Sequence, residues 1–289
     1  MAAEDYREDV RISDEILNRL VEAYRKLRNT FRFALGNLDD FDPAKDCLPV
    51  SELLEIDRWI LARTQDLVKR CRAFYDAFEF HKVYRAVYDF ATTDLSAVYF
   101  EILKDRLYTG SSRPRRSGQT ALYKVHYALT RLVAPLMSFT AEEIWSYTAK
   151  PAGAPDSVHI ATLPDYDELA CDLTASQLAA WDQLMALREP VLKALEEARA
   201  AKLIGAPLEA RLRITPGEHT ILAERAAELP ALFVVSQVAM EPGAAFQVVV
   251  ERADGAKCER CWKYSTAVGE DSEYPTVCDA CSAALREMF

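Results

Sequence analysis

The stretch "SDEILNRLVEAYRKLRNTFRFALG", Ser13 to Gly36, decides the architecture of the first half of the chain. Apolar residues recur at Ile16, Leu20, Tyr24, Leu27, Phe31 and Ala34, the three-and-four spacing of one buried helical face. Ser13 carries the side chain of an N-cap, and Gly36 has the backbone freedom of a helix stop. Arg25, Arg28 and Arg32 share one sector of the same helix, so a basic stripe runs along it that can meet either phosphate or water.

The same reading extends outward. After the turn-like "DFDPAKDCLP", a second helix is expected from about Leu53 to Phe78 on Ile56, Ile60, Ala62, Arg63, Leu67, Phe74 and Phe78. A third is expected from about Lys82 to Leu107, with Tyr84, Val87, Tyr88, Leu95, Tyr99 and Ile102 as bundle core. The Gly, Ser and Pro of "TGSSRPRRSG" should break the pattern, which resumes from Thr120 to Met137. Thr140 and Glu143 have the spacing of a capping box that would open a short helix bearing Trp145. Long helices with short connections define an antiparallel helical bundle over residues 1–155.

Beyond the loop-like "KPAGAPDSVH" the pattern changes. Residues 156–250 read as a junction with one long helix, Gln177 to Leu203, that Pro190 should kink, and then a small α/β module. In that module "EARLRIT" and "FQVVVERA" are strand-like, and Ala223 to Leu229 is a short helix between them. Residues 251–289 form a third segment around two cysteine pairs. The expected fold class is therefore mainly α: a helical bundle, a small α/β module and a zinc ribbon.

The cysteine pairs, Cys258 with Cys261 and Cys278 with Cys281, follow the pattern C-x2-C-x16-C-x2-C, the spacing of two knuckles that share one zinc ion. Four protein ligands leave no open position, so such a site is structural. A four-thiolate iron site has compatible spacing and is less expected; a redox dithiol needs no matching second pair. Lys257, Arg260 and Lys263 stand where cations would offset the thiolate charge. Cys47, Cys71 and Cys171 occur singly and read as inert thiols.

A chain of 289 residues with a net charge of −10 repels phosphate on average, so any nucleic-acid contact must be local. A local excess exists between Lys104 and Arg131, where seven cations face the single acid Asp105; as a solvated loop it would mean little. No apolar run approaches a membrane span, and "MAAEDYREDVRIS" lacks the apolar segment of a signal peptide, so a reducing cytoplasm is the expected compartment and no membrane an expected partner.

The string "VRISDEILNRLVEAYRKLRNTFRFALGNLDDFDP" resembles the start of the anticodon-binding domain of bacterial isoleucyl-tRNA synthetases. The phrases "EIDRWILAR", "FHKVYRAVYDFATTDLSAVYFEILKDRLYT", "RRSGQTALY", "LTRLVAPLMSFTAEEIW" and "VLKALEEARAAKLIGAPLEARL" follow in that family's order, and "CERCWKYS" with "CDAC" resembles its zinc-binding tail. The resemblance runs from Asp5 to about Cys281; one departure is Ala280, where the family often has a basic residue.

The resemblance implies a class I synthetase anticodon-binding domain, one structural zinc ion on Cys258, Cys261, Cys278 and Cys281, and a tRNA(Ile) partner. It places Arg11, Arg260 and Trp262 at the anticodon end of the tRNA. It also implies a monomer and, as a second partner, the catalytic half of the synthetase, whose reaction is the ATP-dependent attachment of isoleucine to its tRNA. Neither the HIGH nor the KMSKS signature occurs here, so the chain is expected to be a tail of the synthetase, inactive alone. Trp262 has two readings: packing over the ribbon, or stacking with an unpaired base. A freestanding zinc-ribbon adaptor for nucleic acid or protein is the competing function, since related ribbons occur in formamidopyrimidine-type DNA glycosylases.

Overall fold

The computed structural model describes residues 3–7, 9 and 12–288. Its contacts gather the chain into two compact units, residues 1–100 with 113–173 and residues 101–112 with 174–289. Residues 156–173 thus pack with the helices that precede them.

In the first unit, α1 (Asp14–Gly36) begins where Ser13 Oγ accepts from the Ile16 N–H, 3.3 Å away, and its buried face is Ala23, Leu27, Thr30, Phe31 and Ala34. Leu17, Val21 and Tyr24, on the N-terminal turns, stay exposed. The short α2 (Pro43–Asp46) starts at Asp42 with proline in the first turn, where no N–H is needed. In α3 (Glu55–Asp76) the buried stripe runs through Trp59, Ile60, Leu61, Thr64, Leu67, Val68 and Cys71. That stripe excludes Ala62 and Arg63, and Phe78 lies past the helix end, exposed and at φ 56°.

The expected third helix is α4 (Phe80–Asp89), a π-helical segment (Phe90–Tyr99) and α5 (Phe100–Thr109) in unbroken succession. Polar side chains serve the wider turn: Ser96 Oγ donates to the Ala91 carbonyl at 2.7 Å and Thr92 Oγ1 to that of Tyr88 at 2.9 Å. Tyr84 and Tyr88 are half-buried, not core, whereas Tyr99 is fully buried and donates to Asp57 Oδ1 at 2.7 Å. Ser117 donates to the other oxygen of Asp57 at 2.5 Å, so a buried carboxylate joins α3, the π segment and α6 (Ser112–Val133).

That last helix corrects the sequence reading. It begins eight residues before Thr120, because Pro114 falls in the first turn, where it is tolerated, and Gly118 sits among buried neighbours. Arg115 and Arg116 are therefore helical residues and not loop cations. Arg115 clasps Asp40 through both guanidinium nitrogens, at 2.6 and 2.9 Å, and Arg116 reaches the Asp40 carbonyl at 3.2 Å and Gln119 at 2.7 Å. α7 (Ser138–Tyr147) also starts early, so the expected capping box does not form; Thr140 instead bonds the Tyr24 hydroxyl at 3.0 Å. Trp145 is fully buried, stacked on Tyr127 with ring centroids 5.0 Å apart.

In the second unit, α8 (Ala175–Ala200) opens with a capping box of Thr174 and Gln177 and contains Pro190. It packs on a three-stranded sheet of order β2-β1-β3, formed by β1 (Ala210–Thr215), β2 (Gln237–Met240) and β3 (Gln247–Arg252). β1 runs parallel to β2 and antiparallel to β3, with Leu212 opposite both Val238 and Val250. The expected helix at Ala223–Leu229 is replaced by α9 (Thr220–Glu224) and α10 (Leu229–Phe233), the latter with Pro230 in its first turn and Val234 in the left-handed region at its end. A hairpin of β4 (Ala256–Lys257) and β5 (Tyr264–Ser265) and a last helix, α11 (Asp279–Met288), carry the cysteines.

Buried His126 gives the first unit a pH dependence. Its Nε2 lies 2.8 Å from Thr148 Oγ1, its ring meets Phe31 edge-on, and burial pushes its pKa from 6.5 down to about 4. The unfolded chain therefore takes up a proton on this side chain before the folded one does. Stability is retained above about pH 6.5 and falls progressively toward pH 4, by about 3 kcal/mol in all. Asp40, held well below the usual carboxylate range by Arg115, adds its own loss only below its ordinary value of 3.8. Urea unfolding followed by helix signal at pH 7, 5.5 and 4.5 should show the decline, and His126→Leu should flatten it over that window.

Candidate metal centre and nucleic-acid interface

The hairpin β4–β5 is short because its connection has to turn back on itself within six residues. Gly255 at φ 89° permits the entry: a Cβ there would lie 2.3 Å from the Ser265 carbonyl. The Cys258 N–H then donates to the Lys263 carbonyl at 2.8 Å and the Trp262 N–H to that of Cys258 at 3.0 Å, closing the knuckle. Trp262 itself sits at φ 66°, a left-handed conformation rare for a bulky residue. Cys278 precedes α11 and Cys281 lies in its first turn, with the Cys278 N–H directed at Cys258 Sγ, 3.3 Å away.

The four sulfur atoms lie within 4.8 Å of one another, and Cys261 and Cys278 are 3.7 Å apart. Zinc–sulfur bonds of about 2.3 Å in a tetrahedron put sulfurs about 3.8 Å apart, whereas a disulfide needs about 2.05 Å. The donor set and its spacing fit one zinc ion. Cys258, Cys278 and Cys281 are buried with Val277, and Cys261, Val268, Tyr274 and Leu285 pack around them. Against burial, N–H groups of Cys261, Cys278 and Arg260 pull the Cys258 thiol down to about 6. The Cys281 side chain and burial push Cys261 up, and burial pushes Cys278 up to about 11. A zinc ion bound there would displace the protons that their surroundings favour on Cys261 and Cys278.

The knuckle is anchored to residues of α5. Lys263 Nζ lies 2.6 Å from Asp105 Oδ2, and Arg260 donates to the Thr109 carbonyl at 2.5 Å. Trp262 is 62% exposed, and Lys257 Nζ stands over one face of its ring, 5.4 Å from the centroid. Arg260, Trp262 and the four cysteines are brought together within this one unit; Arg11 lies outside the described residues. In the first unit the basic stripe is largely engaged: Arg25 pairs with Glu22 at 2.5 Å and Arg28 with Glu143 at 3.8 Å. Sequence reasoning missed the α5 residues Asp105 and Thr109, whose only signal was their place in a cation-rich run.

Comparison with known proteins meets this geometry. Residues 57–214 match the family of the anticodon-binding domain of tRNA ligases, and residues 255–284 match the zinc finger found in FPG and IleRS. The first match spans more than half of the chain, and the chain belongs to the anticodon-binding domain family of tRNA ligases. It is similar to the isoleucine–tRNA ligase of Syntrophotalea carbinolica, 43% identical over 99% of this chain and 32% of that protein. It is likewise similar to those of Geobacter sulfurreducens, 44% identical over 99% and 32%, and Thermotoga maritima, 41% identical over 99% and 32%. The chain spans about a third of the length of these relatives and corresponds to their C-terminal part.

Protein purified without chelator should contain zinc near one equivalent by elemental analysis, and Cys278→Ser should lose it. Removing the metal should disorder the segment from about Lys257 while the far-ultraviolet helix signal persists, because the small cluster has little other core to hold it. Retention of a protected tail after complete chelation would contradict a metal-held knuckle.

Proposed function

We propose that the chain recognises the anticodon stem-loop of an isoleucine tRNA, with the zinc knuckle reading unpaired loop bases through Trp262 and Arg260 and with Arg11 as a further contact at the anticodon end. The observation that carries this reading is the exposed indole, fixed on a sulfur-held turn in a chain of the anticodon-binding family. Single-stranded RNA is read by stacking splayed bases on aromatic and guanidinium planes, and a flat ring that is held still loses little freedom on binding. The cations beside the ring, Lys257 and Arg260, give the phosphate backbone a local path over a chain whose average charge opposes it.

The larger setting belongs to the same proposal: a cytoplasmic monomer serving the ATP-dependent attachment of isoleucine to tRNA, in which the catalytic half of the ligase is the second partner. No helix among the described residues is long and apolar enough to cross a membrane. The chain alone is expected to give no isoleucine-dependent pyrophosphate exchange, since the HIGH and KMSKS signatures do not occur in its sequence.

Binding of the cognate anticodon stem-loop tests the reading. Stacking on an aromatic is worth roughly 1 to 3 kcal/mol, so Trp262→Ala should weaken binding on the order of tenfold or more with zinc content unchanged. Trp262→Gly should do the same while relaxing the left-handed backbone, which separates the ring from the turn. Arg260→Ala should lower the slope of log affinity against log salt by about 0.7 if its contact is to phosphate. Equal affinity for a DNA duplex would favour the zinc-ribbon adaptor, and loss of zinc from Trp262→Ala without change in RNA binding would make the indole a packing residue.

A further inference from the structure

Beside Trp262 lies a cavity of about 440 Å³, lined entirely by residues of the second unit. Its volume suits one small aromatic ligand, since sites of about 300 to 1,000 Å³ enclose such molecules. We propose that this cavity receives one splayed nucleobase of single-stranded RNA, and that Tyr108, on the last turn of α5, is a second base-contacting residue opposite no partner that the family comparison assigns. The proposal rests on the anticodon reading and adds to it a concave subsite where that reading needs only a surface ring.

Tyr108 and Trp262 both line the cavity and are 61% and 62% exposed. Large aromatic rings left in water on two separate elements around one apolar hollow mark a site that is completed by a ligand. Pro230 and Val234, at the two ends of α10, supply apolar wall between them. The two rings are held by different means. Trp262 is fixed by the closed knuckle, and Tyr108 by its helix, in which Asp105, one turn before it, and Thr109, the next residue, bond Lys263 and Arg260 of the knuckle. Each bond ties α5 to the segment that bears the indole, so the hollow is organised before any ligand arrives.

Charge decides among aromatic ligands. Arg260 and Lys263 line the hollow and Lys257 lies against the indole, which places cations where the phosphates flanking a captured base would run. Lys104, Arg260 and Lys263 outnumber Glu101 and Asp105 in the lining, so even with the bonds to α5 made the rim stays net cationic, which suits a polyanionic strand better than a purely apolar side chain of a protein partner. A base satisfies both features: two π faces for the rings and a polyanionic backbone for the rim.

The test uses the full chain, an anticodon stem-loop of isoleucine tRNA, and stem-loops in which each loop nucleotide in turn is made abasic. Tyr108→Ala should weaken binding on the order of tenfold, and Tyr108→Phe should stay near wild type, because the ring and not the hydroxyl does the stacking. One abasic position should weaken the wild type by a similar factor and add little to Tyr108→Ala, the non-additivity of two groups in contact. Ala231→Trp, at an exposed residue of the cavity wall, should fill the hollow and weaken binding with zinc retained, which keeps the test decisive even if Tyr108→Ala fails to fold. If Tyr108→Ala and Ala231→Trp bind as wild type while Trp262→Ala is impaired, the concave subsite is wrong and the anticodon reading stands. If all three bind as wild type, the anticodon reading falls with it. Fully additive losses would also overturn the proposal.

Discussion

Four sulfur atoms gathered within 4.8 Å hold a segment that has almost nothing else to hold it. Around them the tail buries Val277 and packs Val268, Tyr274 and Leu285, too little apolar surface to fix about 30 residues against chain entropy. The two strands of its hairpin are two residues each, below what stands alone in water. Everything the knuckle does is therefore derived from the metal-sized gap between those thiols. The position of the indole, the aim of Arg260 and the bond from Lys263 to Asp105 are consequences of where the chain must run to bring Cys258 and Cys261 to one point.

The helical unit solves the opposite problem. It has a large core and many charges, and it spends most of its cations internally. Arg115 and Arg116 secure Asp40 in the connection after α1, Arg63 meets Asp94 at 2.8 Å, and buried Arg131 reaches Glu168 at 3.1 Å. Buried Asp57, accepting from Tyr99 and Ser117, does the same work with one carboxylate for three stretches of helix. A guanidinium that completes a bidentate pair is a poor phosphate contact, because binding RNA would first cost the pair. Arg115 and Arg131 of the basic run between Lys104 and Arg131 are therefore engaged within the helical unit, and the proposed RNA contacts are sought at a few placed residues instead.

What the sequence displayed and what it hid divide along a physical line. Ser13, Gly36 and the cysteine spacing depend on neighbours within a few positions, and local pattern carried them, whereas the Thr174 cap, which starts α8 two residues before the expected Gln177, was passed over. The start of α6 was hidden because Pro114 and Gly118 are breakers only in a helix interior, and nothing local says that residue 114 is in a first turn. The Thr140–Glu143 spacing failed as a cap because α7 already begins at Ser138, which leaves Thr140 inside the helix and its hydroxyl to Tyr24, 116 residues away. β2 was missed since its four residues are all half-buried and show no alternation. The buried stripe of α3 was read one position out of phase at Ala62 and Arg63, where 3.6-residue periodicity fits two neighbouring faces almost equally. Tyr108 was invisible for a further reason: its significance is the company of Trp262, and no sequence period joins positions 154 residues apart.

Trp262 is one of five non-glycine residues with a left-handed backbone among the described residues, and the one beside the thiol cluster. At φ 66° a glycine would be unstrained, whereas a bulky side chain in that region costs on the order of 1 kcal/mol or more. The knuckle would close as well around glycine, since the N–H that bonds Cys258 belongs to the main chain. An indole at this position is thus unfavourable for the turn, exposed enough to contribute little burial, and still directed beside an open cavity. On the proposed reading, a ligand that needs the ring accounts for this strain, and the sulfur cluster supplies the rigidity that lets the turn hold it.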